Sequence, residues 1–365
     1  MQTRFQQRLL FAGLAIVVFI TQAWIWGGPF PYTDALLWIK ASRQFADGAW
    51  PYVFSAVPPH PGSTITTVTA VLMKLRVPDQ QAMQYAMAVL MTASITTLAY
   101  VCKLLRPRSL WWLSVAIFFA LNPLYLQMSA PSALAGVLVC IFVLLLLRAK
   151  EQKHDAHTVF YIGLCAGILL ATRIDTGVGI IIFSLPYAWS FLRKNILKIA
   201  AFASLFFASL DPYLWQHPVD HIWSIASLVS SNAVTTVVFE FSMWVTLFAI
   251  GAFAIGAWIA YYQPSYSSIP TEYLKWTLGW TALLTCLMML SRSHPLRYFF
   301  PMMAVWEMLL PLFLLELVDV YKSSRFLQPV WRSQYATIAL LAALRLIVIY
   351  ALWVYELGPL FYRVV

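Results

Sequence analysis

Apolar residues fall along this chain in long runs separated by short polar stretches, and many of the runs are long enough to cross a bilayer as a helix. The first, Leu9 to Trp26, spans 18 residues and follows Arg4 and Arg8. It ends in Trp24-Ile-Trp26 rather than in the small residues of a signal-peptide cleavage site, so it is read as a retained span. Further runs lie near 82–102, 109–127, 133–147, 158–172, 177–192, 198–211, 236–260, 275–290, 298–317 and 335–354. Together they predict an all-α polytopic membrane protein of about eleven transmembrane helices.

One further segment, Gly62 to Val77, decides the topology. Counted as a span, it would put Lys103/Arg106/Arg108, Arg148/Lys150/Lys153 and Arg193/Lys194/Lys198 all outside, against the preference of Lys and Arg for cytoplasmic loops. As a helix, Gly62 to Met73 would also reach only about 18 Å, against roughly 30 Å of hydrocarbon. It is therefore read as a helix lying on the membrane, with Ile65, Val68, Leu72 and Leu75 along one face and Thr67, Lys74 and Arg76 elsewhere. The N-terminus is then cytoplasmic and the C-terminus outside. Fifteen Lys and Arg lie inside, eight lie outside, and Arg345 falls within a span. The whole chain, 1–365, reads as a single membrane domain with a long first outer loop at 27–81 and no soluble C-terminal domain.

Composition agrees. Hydrophobic residues make up 61% and charged residues 10% of the chain, and the mean hydropathy is +0.75, which leaves too little polar surface for a water-soluble globule. The net charge of +10 is accounted for by the cytoplasmic loops, so no nucleic-acid partner is inferred; the lipid bilayer is the expected surrounding. Cys102, Cys140, Cys165 and Cys286 all fall within apolar runs without CxxC spacing and read as small core residues.

The same topology sorts the other ionisable groups. Asp34, Asp47, Asp79, Asp175, Asp211, Asp220, His60, His217, His221 and His294 fall at or near the outer surface, whereas Asp155, Asp319, His154 and His157 fall inside. An outward-facing site follows. The first outer loop, about 55 residues long, far exceeds a connector. Within it, Asp34 precedes Ala35 to Ala46, a second candidate surface helix. A carboxylate there can act as a general base toward a substrate hydroxyl, or cap the helix that follows. Asp211, His217, Asp220 and His221 form a second polar constellation. They could bind a divalent ion such as Mg or Mn, although their spacing matches no standard zinc pattern; Trp215 and Trp223 beside them suit interfacial anchoring.

Asp34 after the first span, Ala46-Asp-Gly-Ala-Trp-Pro-Tyr52, Pro58-Pro-His-Pro-Gly62, Asn122-Pro-Leu-Tyr125, Ala171-Thr-Arg173 and Arg297-Tyr-Phe-Phe-Pro301 together resemble the GT-C superfamily of lipid-linked-sugar glycosyltransferases, especially the protein O-mannosyltransferase and aminoarabinose transferase branch. The resemblance covers roughly 300 residues and implies an inverting transfer. A sugar carried on a polyprenyl phosphate would be attacked at its anomeric carbon by an acceptor hydroxyl of a glycan, lipid or protein, at the extracytoplasmic face of a bacterial inner membrane. Asp34 matches the family's general base. The phosphate leaving group needs countercharge, which Arg297, Arg292, His294 and Arg173 would supply, since guanidinium forks bind phosphate oxygens in bidentate fashion. Arginines at this depth also snorkel to lipid headgroups. The resemblance assigns His60, Asp211, His217, Asp220 and His221 to substrate binding in preference to a metal.

Two departures stand out. Some relatives carry paired acidic residues where this chain has Thr33 before Asp34, and many carry a large soluble C-terminal domain. Two other classes fit the same pattern: a transporter or flippase for a lipid-linked saccharide, with Glu240, Glu307 and Arg345 in its spans, and a noncatalytic membrane subunit of a glycan-assembly complex.

Overall fold

The apolar runs fold as helices. The structure, a computed structural model, describes residues 4–27, 33–48, 63–107, 109–122, 125, 130–151, 156–211 and 334–354, positions 219, 223 and 279, and eight positions between 304 and 315. Among these, every regular element is an α-helix: α1 (Arg4–Trp26), α2 (Thr33–Ala46), α3 (Ser63–Lys74), α4 (Asp79–Leu105), α5 (Trp111–Ala120), α6 (Ala130–Glu151), α7 (Ala156–Thr172), α8 (Ile174–Leu210) and α9 (Gln334–Val354). Phe5–Trp26, Asp79–Leu105 and Pro131–Ala149 are long and apolar enough to cross a membrane, and shorter apolar helices cover Trp111–Ala120, Ala156–Thr172 and Gln334–Ile347. On α1, Ile16, Val17 and Ile20 stand more than 60% exposed, an apolar surface suited to lipid rather than water. The protein is a helical, membrane-embedded one. The predicted spans at 236–260 and 275–290 lie outside the described residues, apart from Gly279, which packs near Phe183.

Side-chain contacts give the direction of each helix. Phe11 meets Tyr100 edge-on while Gln84 reaches back to the Gly27 carbonyl, so α1 and α4 run antiparallel. Phe11 also touches Trp112, and Gln22 donates to the Ala120 carbonyl, so α5 runs parallel to α1. Within the sheaf α6 is the central helix, with 94% of its apolar window buried against 22% for α1, as expected of a helix apolar on all sides. Alternation leaves Lys103, Arg148 and Lys198 at one end, the basic end. Gly27, Asp79, Thr172 and Asp211 lie at the other.

α8 appears as one helix where the apolar pattern predicts two spans. Straight, its 37 residues would reach about 55 Å. Yet both of its ends lie at one end of α7. Gly177 packs on Leu170, and Thr67 donates to the Leu210 carbonyl one turn along α3 from where Thr64 donates to Ile168. The helix therefore folds back on itself. The break is at Ala188, with non-helical φ −110° and ψ 21°, two residues after Pro186, whose ring cannot continue the backbone hydrogen-bond ladder. The arms on either side correspond to the predicted runs 177–192 and 198–211.

The second arm lies close against α7 because Gly163 and Gly167 carry no side chains. A Cβ on Gly163 would come within 2.5 Å of the Phe202 Cβ, and one on Gly167 within 2.5 Å of the Ala203 carbonyl oxygen. Close backbone approach of this kind replaces the hydrophobic driving force that lipid removes.

The segment at 62–77 is a 12-residue helix, α3, too short to span. Its facing differs from the expectation. Thr64, Ile65, Thr66, Thr69, Ala70 and Met73 are buried against the bundle, whereas Leu75, expected on the stripe with Ile65, is 70% exposed beside exposed Val71. Hydroxyl-to-carbonyl bonds from Thr64 and Thr67 tie the helix to α7 and α8, and Ile65 and Met73 pack inward beside them. Arg76, at φ 66°, ends α3 in a left-handed turn in which the amides of Arg76 and Val77 bond back to the carbonyls of Met73 and Leu72. Pro78 then opens α4 in a new direction.

Gly167→Val is expected to lower stability by about 1–3 kcal/mol through overpacking against Ala203, read as a lower thermal midpoint in detergent. Gly13→Val, with nothing near its Cβ position, should leave that midpoint within experimental scatter. Arg76→Gly is expected to raise stability by roughly 1 kcal/mol by relieving the left-handed backbone.

Candidate functional site

The fold-back of α8 has a chemical consequence. Arg173 immediately precedes this helix and Asp211 immediately follows it, so the two residues, 38 positions apart in the sequence, come to the same end of the bundle. Both are only 3% exposed. Buried charges need polar partners. For Arg173 one is Ser132 in the first turn of α6, whose hydroxyl accepts from Nη1 at 2.6 Å. Next to it Thr172 donates to Thr64 at 3.0 Å or to the Ile168 carbonyl at 2.7 Å, and Thr67 holds the end of α8 through Leu210 at 3.1 Å. One threonine-rich face of α3 thus ties the ends of α7 and α8 together around a buried guanidinium and a buried carboxylate.

α2 packs beside α3, with Trp38, Ala41 and Ser42 buried, and its last turn is joined to the start of α4 by an Arg43–Asp79 ion pair. That pair is solvent-exposed and so contributes little stability. Asp34 is the second residue of α2. Of the other expected site residues, His60, His217, Asp220, His221, Arg292, His294 and Arg297 lie outside the described residues. Ser132 and Thr64 were not singled out from the sequence; Thr67 entered only as a polar position of the 62–77 helix and Thr172 only within the Ala171-Thr-Arg173 motif. The signal was present in Ser63-Thr-Ile-Thr-Thr-Val-Thr69, where hydroxyls crowd a helix that also carries apolar side chains.

A second polar cluster lies within the apolar sheaf. α5 ends at Ala120, and the last carbonyls of a helix have no partner within it. Gln22 donates to the Ala120 carbonyl at 2.9 Å, and Arg345 of α9 donates to the Phe118 carbonyl at 2.9 Å while stacking 4.1 Å over the Phe118 ring. Arg345 also pairs with Glu307 at 3.2 Å, and Asn122 donates to the other oxygen of Glu307 at 2.5 Å. Asn122 and Tyr125 of the Asn122-Pro-Leu-Tyr125 motif are thereby drawn into packing: Tyr125 stacks on Trp26, which in turn donates to Gln22. Glu307 and Arg345, two of the three intramembrane charges considered for a transport pathway, neutralise each other. Glu240 lies outside the described residues. Cys102, Cys140 and Cys165 are buried free thiols, and Cys165 donates to the Leu138 carbonyl.

Comparison with protein-family models and with curated proteins finds no match to this chain.

Arg345→Leu should strand the Glu307 carboxylate and destabilise the protein by about 3–5 kcal/mol. Replacing both residues by Leu should recover the part of that loss due to the stranded carboxylate, while the Phe118 carbonyl stays without its donor. Thermal unfolding of the two single variants and the double variant in detergent measures this coupling, and additive losses would show that the pair does not act as a unit.

Proposed function

We propose that the protein is an inverting glycosyltransferase of the GT-C type, which moves a sugar from a polyprenyl-phosphate donor to an acceptor hydroxyl at the extracytoplasmic membrane face. The observation that carries the reading is the return of Arg173 and Asp211, both buried, to the end of the bundle capped by α2 and α3. A guanidinium held in a polar pocket at the end of membrane helices suits the phosphate of a lipid-linked donor, because desolvation strengthens its hydrogen bonds to phosphate oxygens. Asp34, at the start of the adjacent surface helix, takes the role of general base, removing the acceptor proton as the hydroxyl attacks the anomeric carbon. The phosphate departs with the electrons of the broken glycosidic bond and needs no proton. Arg173, with Arg297, Arg292 and His294, offsets its charge. His60, Asp211, His217, Asp220 and His221 bind sugar or acceptor. The reading places eleven spans in a bacterial inner membrane, with the basic end cytoplasmic. The mutual neutralisation of Glu307 and Arg345 favours this over transport, since it leaves that pair bracing helices rather than lining a path.

Purified protein given a radiolabelled polyprenyl-phosphate sugar should release sugar to an acceptor. Asp34→Asn should reduce turnover at least about a thousandfold, within the range expected for loss of a general base, while leaving donor binding and thermal stability unchanged. Arg173→Lys should weaken donor binding more than turnover at saturation. Near-normal turnover by Asp34→Asn would remove that residue from the base role, and absence of any transfer by the unaltered protein would favour a carrier or scaffolding role.

A further inference from the structure

A groove of about 550 Å³ runs along the bundle where α6 is recessed between α4 and α7. Its floor is one stripe of α6, Leu134, Leu138, Ile141 and Leu145, all buried. The next position on the same stripe is Arg148, which closes the groove at the basic end. The walls are the outward faces of the neighbouring helices, Ala93, Thr97 and Tyr100 on α4 and Tyr161 and Leu164 on α7. His157, the first groove residue of α7, stands in register with Arg148. The groove is therefore apolar along its length and cationic at one mouth. From Leu134 to Arg148 it extends about 21 Å along the helix axis, deeper than one leaflet of a core roughly 30 Å thick. Tyr100 and Tyr161, 49% and 50% exposed, flank it as amphipathic rings whose hydroxyls suit the polar boundary of a membrane.

We infer that this groove is a binding site for one acyl chain of an anionic phospholipid whose headgroup lies against Arg148. The chain fills the slot between α4 and α7 over the leucine floor, and the phosphate meets the guanidinium at the mouth. The site faces the membrane surface opposite the one capped by α2 and α3, so it is separate from the proposed catalytic end and does not depend on that activity. The chain would lie in the recess over this stripe, with the exposed side chains of α4 and α7 on either side.

The test uses the full-length protein in vesicles of phosphatidylcholine with trace chain-labelled lipid, and reads the motionally restricted fraction by electron paramagnetic resonance. Spin-labelled phosphatidylglycerol should associate about fivefold more strongly than spin-labelled phosphatidylcholine of the same chain, the effect expected of one basic residue at an anionic surface. Arg148→Gln should bring the ratio close to one, Arg148→Lys should keep most of it, and Lys198→Gln, exposed at the same end, should not change it. Ala93→Trp, on an exposed wall, should remove the phosphatidylglycerol preference by filling the slot while leaving the fold intact. Equal association of the two lipids with the unaltered protein overturns the inference, as does a preference that survives Arg148→Gln. Should Arg148→Gln not fold, a preference unchanged in Ala93→Trp overturns it equally.

Discussion

The bundle depends on how the open end of α5 is satisfied. This helix is only ten residues long, about 15 Å, and it ends at buried Ala120 and Asn122. Unpaired carbonyls there are costly. Gln22 from α1 and Arg345 from α9 supply the missing donors, and a cation at a helix C-terminus also complements its dipole. Arg345 brings Glu307 with it, and Glu307 in turn engages Asn122 just past the end of α5. Three distant parts of the chain are thus held around one short helix by a requirement of backbone chemistry.

A second constraint is close packing without side chains. Lipid gives no hydrophobic incentive for two apolar helices to associate, so α7 and the second arm of α8 rely on backbone proximity at Gly163 and Gly167. The Pro186 break makes that arm available, and the same reversal returns Asp211 to the end of the bundle where Arg173 lies. The threonine face of α3 ties that end together through bonds to Thr172, Ile168 and Leu210.

Polar residues in this protein divide by what they satisfy. Gln22, Asn122, Glu307 and Arg345 serve backbone and one another within the sheaf. Arg173 and Asp211 lie at an end of the bundle, beside α2 and α3. Arg148 stands at the opposite mouth of an apolar groove. The first set is consistent with bracing, and the other two with ligands approaching from the two membrane surfaces.

The helical class, the long apolar first helix and the shortness of α3 were legible in the sequence, because run length and hydropathy depend only on composition along the chain. So was the alternation that gathers Lys103, Arg148 and Lys198 at one end, since successive helices must reverse direction to stay in a bilayer. The role of Asn122 was not legible: its partner Glu307 is 185 residues away, and no local pattern names a partner at that distance. The facing of α3 followed its apolar stripe only in part: Ile65 is buried, but Leu75 is exposed and threonines share the buried face. Gly163 and Gly167 were not read from the sequence as a packing site, and only the positions of Phe202 and Ala203 show which helix they receive. Local composition determined which segments are helices and where they can reside; tertiary structure decided which of their few polar groups meet, because that depends on contacts between segments that the chain keeps far apart.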